Sequence, residues 1–401
     1  MGNYLIKAIA VAAVAATVLS ACSGRSAVPA DDVGGTGDIV IRASYPLSGP
    51  LSSAGASAAG ATAYFEAVNA AGGVNGRQID FQVVDDAFDP ARLVSNNRQF
   101  VERDHAAVVV NFGGISVAAR PPLNAAKVAQ IVQGGEKELG DVTSFPYSRA
   151  FVPDIAWEGE LQGRYIAQNI PDAVVGFLGF NNDFAASQLA GLAAAGIQPV
   201  KTITLPPGQG DVASQVTELE AAGVNVLVTT IGPPTMGALL FYMGQIDYRP
   251  TTFIGSPYAD FASTVNPAGA QNVTGALSYQ WFKDPQNPAV HDDPALVQYR
   301  ADMARFAPEA DANQSFTITG YGLAAAIVEA LRNAGDVSSD SFLAAWDSLS
   351  QVQNPMLIDN ATLTGDANGR VVHEYQLHEF DGTSWVPRGD IIDVSKAGIV
   401  S

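Results

Sequence analysis

Cysteine and basic residues are scarce in this 401-residue chain, and each scarcity excludes a class of function. Cys22 is the only cysteine, so a disulfide within the chain is impossible and a thiol-based catalytic or metal site elsewhere is excluded. Lysine and arginine together number 21 against 40 acidic residues, which gives a formal net charge of -19. A chain this acidic repels polyphosphate, so we expect no nucleic-acid partner.

Familiar catalytic and metal-binding patterns are also missing. The four histidines have no spacing that would place several metal ligands on one face, and we expect no metal and no cofactor. The chain has neither a Gly-x-Ser-x-Gly nucleophile turn nor a Gly-x-x-x-x-Gly-Lys phosphate loop. Asp85 and Asp86 make a poor catalytic pair, because adjacent strand residues point to opposite faces; one of them is expected to cap the following helix. We therefore expect a protein that is not an enzyme.

The N-terminal apolar run, residues 8–19, is too short to cross a bilayer but fits the core of a signal peptide. It leads into the sequence LSAC, which ends at Cys22 and resembles a bacterial lipobox. We predict that residues 1–21 are a signal peptide and that Cys22 is lipidated. Residues 22–37 are small, polar and turn-forming, so they predict a flexible tether. The protein is then expected in the cell envelope, anchored to a membrane through several acyl chains on Cys22.

From Asp38 onward, short apolar strands alternate with helical segments. Runs of β-branched residues such as 106–110 and 226–230 are each followed by a helical pattern, which predicts parallel sheets covered on both faces. The chain is longer than one core usually serves, so two α/β lobes are expected. Residues 371–380 alternate apolar and polar side chains and predict an edge strand.

An ordered series of motifs occupies the first part of the folded region. The segment IRASYPLSGPLSSAG begins at Ile41. A predicted helix follows it, and then comes the segment NAAGGVNGRQIDFQVVDDAFDP, which ends at Pro90. This order of strand, Pro-Leu-x-Gly turn, helix, Asn-Gly-Arg turn, strand and paired Asp resembles that of the branched-chain amino-acid-binding proteins of ABC importers, the leucine/isoleucine/valine type. Shorter matches follow at NFGG (111–114), NDF (182–184) and GYG (320–322).

The resemblance implies the type I periplasmic binding fold: two doubly wound α/β lobes joined by three crossovers, with a ligand cleft between them. The N-terminal lobe would hold residues 38–153 plus 284–358, and the C-terminal lobe residues 154–283 plus 359–401. It further implies a monomeric receptor that captures a small molecule by hinge closure and delivers it to ABC permease subunits. A ligand-sensing receptor of the same fold, acting in signalling, is the alternative.

Ligand-binding residues are expected where parallel strands end. In the first lobe, the resemblance assigns the ligand's carboxylate to the turn at Gly113, Gly114 and Ser116. A tight turn capped by Ser116 is the alternative. Gly134, Gly135 and Glu136 follow the next strand, where relatives usually carry small hydroxyl residues. Glu136 is thus either a cleft residue or a solvated helix start.

In the second lobe, the expected ligand contacts are Asp183, Phe184, Ser256, Tyr258 and Trp281, with packing as the alternative for the aromatic residues. Pro257 stands at or next to the position where amino-acid-binding relatives carry an acidic residue for the ligand's ammonium group. Because an unpaired buried ammonium costs several kcal/mol, the sequence slightly favours an aromatic or apolar carboxylate over a branched-chain amino acid. A contact from Glu136 or Asp183 to an ammonium group would reverse that preference.

Overall fold

The computed structural model describes residues 37–399, so the predicted signal peptide, Cys22 and all but the last residue of the tether lie outside the described part. The strands are, in chain order, β1 Ile39–Tyr45, β2 Ile79–Asp85, β3 Val108–Phe112, β4 Ala129–Gln133, β5 Ser148–Ala150, β6 Val175–Phe180, β7 Lys201–Leu205, β8 Val226–Thr230, β9 Thr251–Ile254, β10 Leu277–Gln280, β11 Val352–Gln353, β12 Thr362–Leu363, β13 Glu374–Phe380, β14 Trp385–Pro387 and β15 Ile392–Asp393. The α-helices are α1 Ala56–Ala70, α2 Pro90–Glu102, α3 Arg120–Ala126, α4 Ile155–Asn169, α5 Asp183–Ala194, α6 Ala213–Ala221, α7 Thr235–Gln245, α8 Asn266–Ala268, α9 Ala270–Val273, α10 Pro294–Phe306, α11 Ser315–Asn333 and α12 Ser339–Asp347.

The first sheet is parallel, with strand order β2-β1-β3-β4-β5. The order reverses beside β1, so the connections leave β1 and β3 in opposite directions and open a crevice at their carboxyl ends. Helices α1 and α11 pack against each other beside this sheet. Their approach is so close that a Cβ on Gly320 would lie 2.0 Å from the carbonyl oxygen of Ser57, which accounts for glycine at that position.

The second sheet repeats this winding. Its parallel part has the order β10-β9-β8-β6-β7, so the reversal lies beside β6. Antiparallel strands β13, β14 and β15 extend the β10 side. Both sheets therefore present the carboxyl ends of their central strands as places where a ligand can bind.

The chain passes three times between the two sheets, after β5, after β10 and after α12. The second and third passages pair with each other, since the Lys283 N–H donates to the Met356 carbonyl at 2.8 Å. The first and third passages also meet, where the Ala150 N–H donates to the Gly369 carbonyl at 3.2 Å. The fold is thus the predicted one of two doubly wound α/β lobes joined by three crossovers.

Two local predictions are wrong. Residues 371–380 were expected to form an edge strand, but β13 is internal, because β10 pairs on one side and β14 and β15 pair on the other. Helix α2 is capped by Asp89, whose carboxylate accepts from the N–H groups of Ala91 and Arg92, rather than by Asp85 or Asp86. Asp85 instead binds the turn after β1.

Across residues 37–399, none of the helices combines the length and the hydrophobicity that crossing a bilayer requires.

Candidate functional site

A cleft lies between the two sheets, at the carboxyl ends of their strands. Its empty volume is about 910 Å³, part of which is open to solvent. Residues from the ends of β3, β4, β6, β8 and β9 line it, together with the start of α11. Seven of its lining residues are aromatic: Phe88, Phe112, Phe180, Phe184, Tyr258, Trp281 and Phe316. The cleft therefore offers a largely apolar enclosure for a small solute.

The turn after β3 contributes Gly113 to the lining. Its φ of 69° lies in the left-handed region, and a Cβ there would approach the Phe88 ring to 3.1 Å, so glycine suits the position. The Gly113 N–H donates to the Gln133 carbonyl at 3.1 Å. Gly114 and Ser116 are not among the residues that line the cleft, and the Ser116 hydroxyl is buried with no hydrogen-bond partner among the described residues.

The loop after β4 brings Gly134, Gly135 and Glu136 into the lining. Glu136 is only 7% exposed, so the alternative of a solvated helix start is wrong. Burial raises the pKa of its carboxyl group to about 7, although the N–H groups of Glu136 and Gly114 and the charge of Arg370 act in the opposite direction. Oxygen Oε2 of this carboxylate has no hydrogen-bond partner among the described residues.

Gln133, at the end of β4, is a polar part of the same wall, but its side-chain amide is already hydrogen-bonded within the protein. Its Oε1 accepts from the Tyr45 hydroxyl at 2.8 Å, and its Nε2 donates to Ser57 and Thr319 at 3.0 and 2.8 Å. These bonds join β1, β4, α1 and α11 below the cleft. Gln133 thus fixes the shape of the wall and keeps little capacity for a ligand.

In the second lobe, Asn182 and Phe184 line the cleft after β6, whereas Asp183 is exposed and lies outside the lining. The Asn182 side chain accepts from the Ala185 N–H at 3.0 Å and caps α5, which fixes the direction in which Phe184 leaves the helix start. Phe184 meets Tyr258 edge to face, with ring centroids 6.5 Å apart. The two rings form one aromatic wall from two strand ends.

Ser256 lies below this wall and outside the lining. Its hydroxyl donates to Oε2 of Glu158 at 2.7 Å, and its N–H donates to Oε1 at 2.9 Å. Trp281, which does line the cleft, donates from Nε1 to the Ser256 hydroxyl at 3.2 Å. Complete burial raises the pKa of Glu158 to about 8. Ser256 thus connects the cleft wall to a buried carboxyl group instead of facing the ligand.

Seven of the eleven predicted ligand contacts meet at the cleft: Gly113, Gly134, Gly135, Glu136, Phe184, Tyr258 and Trp281. Sequence reasoning missed several lining residues, among them Phe88, Phe112 and Phe316. Phe88 and Phe112 lie at or just after the ends of β2 and β3, and that position could have identified them. Phe316 comes from α11, and only the packed fold brings it to the cleft.

Within residues 37–399, no group of three or more histidine, cysteine or acidic side chains could hold a metal ion. The cleft's contacts are those of recognition: aromatic faces, one unpaired carboxylate oxygen and backbone groups.

The sequence model of a family described as periplasmic binding protein matches residues 39–384. Among solved structures, a branched-chain amino acid ABC transporter protein from Thermus thermophilus with bound valine is 18% identical, with a TM-score of 0.80 over 89% of this chain and 97% of that one. A solute-binding protein from Rhodopseudomonas palustris BisB5, in complex with 3,4-dihydroxybenzoic acid, is 17% identical, with a TM-score of 0.73 over 89% and 97%.

Another solute-binding protein, from R. palustris and in complex with benzoate, is 14% identical, with a TM-score of 0.72 over 88% of this chain and 96% of that one. No significant match was found among curated proteins. At these identities the likeness to solved structures shows the fold alone, whereas the family model covers most of the chain.

Proposed function

This chain belongs to the periplasmic binding protein family, and we propose that it captures a small organic solute with an apolar or aromatic body for an ABC importer. The family binds small molecules outside the cytoplasm and works with ABC permease subunits. The observation that carries the proposal is the cleft with seven aromatic lining residues, which lies where the strands of both sheets end.

The two lobes are proposed to be residues 38–153 plus 284–358 and residues 154–283 plus 359–401. Both contribute to the cleft: Phe112 and Phe88 come from the first, Phe184 and Tyr258 from the second. A solute that contacts both walls binds the closed arrangement more tightly than the open one, so it shifts the population toward closure. The three crossovers are where the chain would bend.

Proteins of the same fold have been seen with valine, with 3,4-dihydroxybenzoic acid and with benzoate. These ligands share a small apolar or aromatic body, which agrees with the wall chemistry of this cleft. For the polar head group of the solute, the sequence favours a carboxylate.

Attachment to the membrane is part of the proposal. Lipidation of Cys22 would keep the receptor near its permease, with the residues before Asp38 as a tether. The receptor would then work as a monomer on the extracytoplasmic side of a membrane.

A thermal-shift screen tests the proposal. The panel contains valine, leucine, benzoate, 3,4-dihydroxybenzoate, phenethylamine and neutral aromatic amides, with glucose and phosphate as controls. A solute that binds the folded form raises the melting temperature by mass action. We expect at least one apolar or aromatic solute to stabilise the protein, and the controls to have no effect. Stabilisation by glucose alone would contradict the proposal.

A further inference from the structure

Glu136 occupies the place where the sequence assigned the ligand's carboxylate. Its side chain lies across two glycine loops: a Cβ on Gly114 would be 3.1 Å from Oε1, and a Cβ on Gly134 would be 2.7 Å from Oε2. The Gly113 N–H donates to the Gln133 carbonyl at 3.1 Å. One N–H group that was expected to hold a ligand's carboxylate therefore already serves an acceptor of the protein, and the Glu136 carboxylate lies beside the next residue, Gly114.

The Glu136 carboxylate has one oxygen without a hydrogen bond from the described residues. Glu136 is 7% exposed, and its Oε2 lacks a hydrogen-bond partner within residues 37–399. Arg370, a cation that is 1% exposed, donates from its guanidinium to the backbone carbonyls of Val152 and Glu136 rather than to the carboxylate. An unpaired buried carboxylate oxygen costs free energy, and a ligand that donates a hydrogen bond to it removes that cost.

The rest of the lining also favours a cation. Its residues include the seven aromatic rings, and no lysine, arginine or histidine is among them. Aromatic faces attract organic cations, most strongly where water is excluded. A ligand carboxylate in this cleft would contact the negative side chain of Glu136 and no cationic lining residue. A cationic ligand would contact one opposite charge and several aromatic rings. The formal net charge of -19 also attracts cationic solutes over a longer range.

We propose that the solute presents an ammonium group to Glu136, so that this cleft selects amines with an apolar or aromatic body over carboxylates. This inference rests on the proposed receptor function and names the chemical class of its ligand. Glu136 is then the specificity-determining residue: its carboxylate accepts from the ammonium group, and the aromatic walls enclose the body of the solute.

The pH dependence of binding distinguishes an ammonium group bound to ionised Glu136 from a ligand carboxylate bound to protonated Glu136. The charged or titratable groups near enough to act on Glu136 are Arg370, between α12 and β13, the exposed Asp183 at the start of α5 and Tyr258 after β9, with Lys137 next to it in the chain. Since the carboxyl group titrates with a pKa of about 7, it is mostly ionised at pH 8 and mostly protonated at pH 6. An amine then binds more tightly as the pH rises, whereas a carboxylate that accepts from protonated Glu136 binds more tightly as the pH falls.

The test uses two probes of matched shape, phenethylamine and 3-phenylpropionate, in calorimetry at pH 6 and pH 8. The proteins are the wild type, Glu136→Gln and the matched control Glu102→Gln, whose side chain is exposed at the end of α2. We expect phenethylamine to bind the wild type about tenfold more tightly at pH 8 than at pH 6, following the ionised fraction. Glu136→Gln should lose at least about tenfold in affinity together with the pH dependence, and Glu102→Gln should match the wild type.

Several results would overturn the inference: tighter binding of 3-phenylpropionate, an amine affinity that Glu136→Gln leaves unchanged, or no binding of the amine at all. Melting curves of the empty variants show whether Glu136→Gln is folded, and Glu136→Ala provides a second variant if it is not. Failure of the inference about amines is distinguishable from failure of the proposed receptor function. A carboxylate or neutral solute that stabilises the protein would leave the receptor function intact and refute only the choice of amines.

Discussion

The guanidinium of Arg370 donates a hydrogen bond of 2.7 Å to the backbone carbonyl of Glu136. A second bond of 2.6 Å reaches the carbonyl of Val152, in the first crossover. Arg370 lies between α12 and β13, in the part of the chain that makes the third passage between the sheets, and it is 1% exposed. One side chain therefore connects two crossovers to the loop that carries the proposed specificity residue, so the position of Glu136 and the geometry of the crossovers are coupled.

We predict that Arg370→Lys weakens both folding and ligand binding. Lysine keeps the charge but cannot reach two carbonyls in one plane, so at least one buried carbonyl loses its partner, at a cost of about 1–3 kcal/mol. The free energy of unfolding is measured by urea denaturation, and affinity by calorimetry. Arg98→Lys, at an exposed position on α2, is the matched control and should change neither. Equal stability of the two variants would contradict the assigned role of Arg370.

Phe184→Ala should reduce ligand affinity while leaving the empty protein folded. The ring is partly exposed in the cleft and packs edge to face on Tyr258, so its loss removes ligand contact more than core packing. Full burial of such a ring by ligand is worth about 1.5–3 kcal/mol, or roughly ten- to a hundredfold in affinity. The control is Phe241→Ala, which removes a ring that is 45% exposed on α7. If both variants bind like the wild type, Phe184 is not a ligand contact.

The buried carboxyl group of Glu158 makes stability depend on pH. Burial raises its pKa from 4.5 to about 8, so between these values the folded state keeps a proton that the unfolded state has released. Its contribution therefore lowers the free energy of unfolding as the pH rises from 5 to 8, by up to about 1.4 kcal/mol per pH unit. Glu158→Gln should flatten this slope, as measured by urea denaturation at several pH values, and Glu102→Gln should not. An unchanged slope in Glu158→Gln would show that other groups cause it.

Membrane attachment has a direct test. Cys22→Ala removes the acylation site, so the variant is expected in the soluble fraction after lysis, whereas the wild type sediments with membranes. Ser23→Ala, next to it, is the control and should sediment like the wild type. If Cys22→Ala sediments with membranes and resists a salt wash, the lipidation proposal is wrong.

Much of the fold could be predicted from local pattern. The β-branched run that forms β8 has the bounds expected from the sequence, because its apolar residues and its turn-forming flanks agree. The position of β13 in its sheet could not be predicted in this way. The alternation of apolar and polar residues in this strand indicates only that one of its faces is buried. Its neighbours on the outer side, β14 and β15, are too short to show a recognisable strand pattern in the sequence.

The site was predictable where it depends on strand ends and unpredictable where it depends on side-chain direction. Phe184 and Tyr258 follow strands and reach the cleft. Asp183 also follows a strand, yet the Asn182 cap starts α5 so that Phe184, and not Asp183, faces inward. Ser256 is drawn away from the cleft by Glu158, a residue about a hundred positions earlier, and no local pattern reports such a partner.

Closure of the two lobes on a solute is the central claim, and small-angle X-ray scattering measures it most directly. The protein is measured empty and with a saturating concentration of the panel solute that gives the largest thermal shift, at a pH where calorimetry proves binding. Because the solute contacts both walls of the cleft, we predict a smaller radius of gyration for the bound protein. Identical scattering curves with and without a proven, saturating ligand would contradict hinge closure.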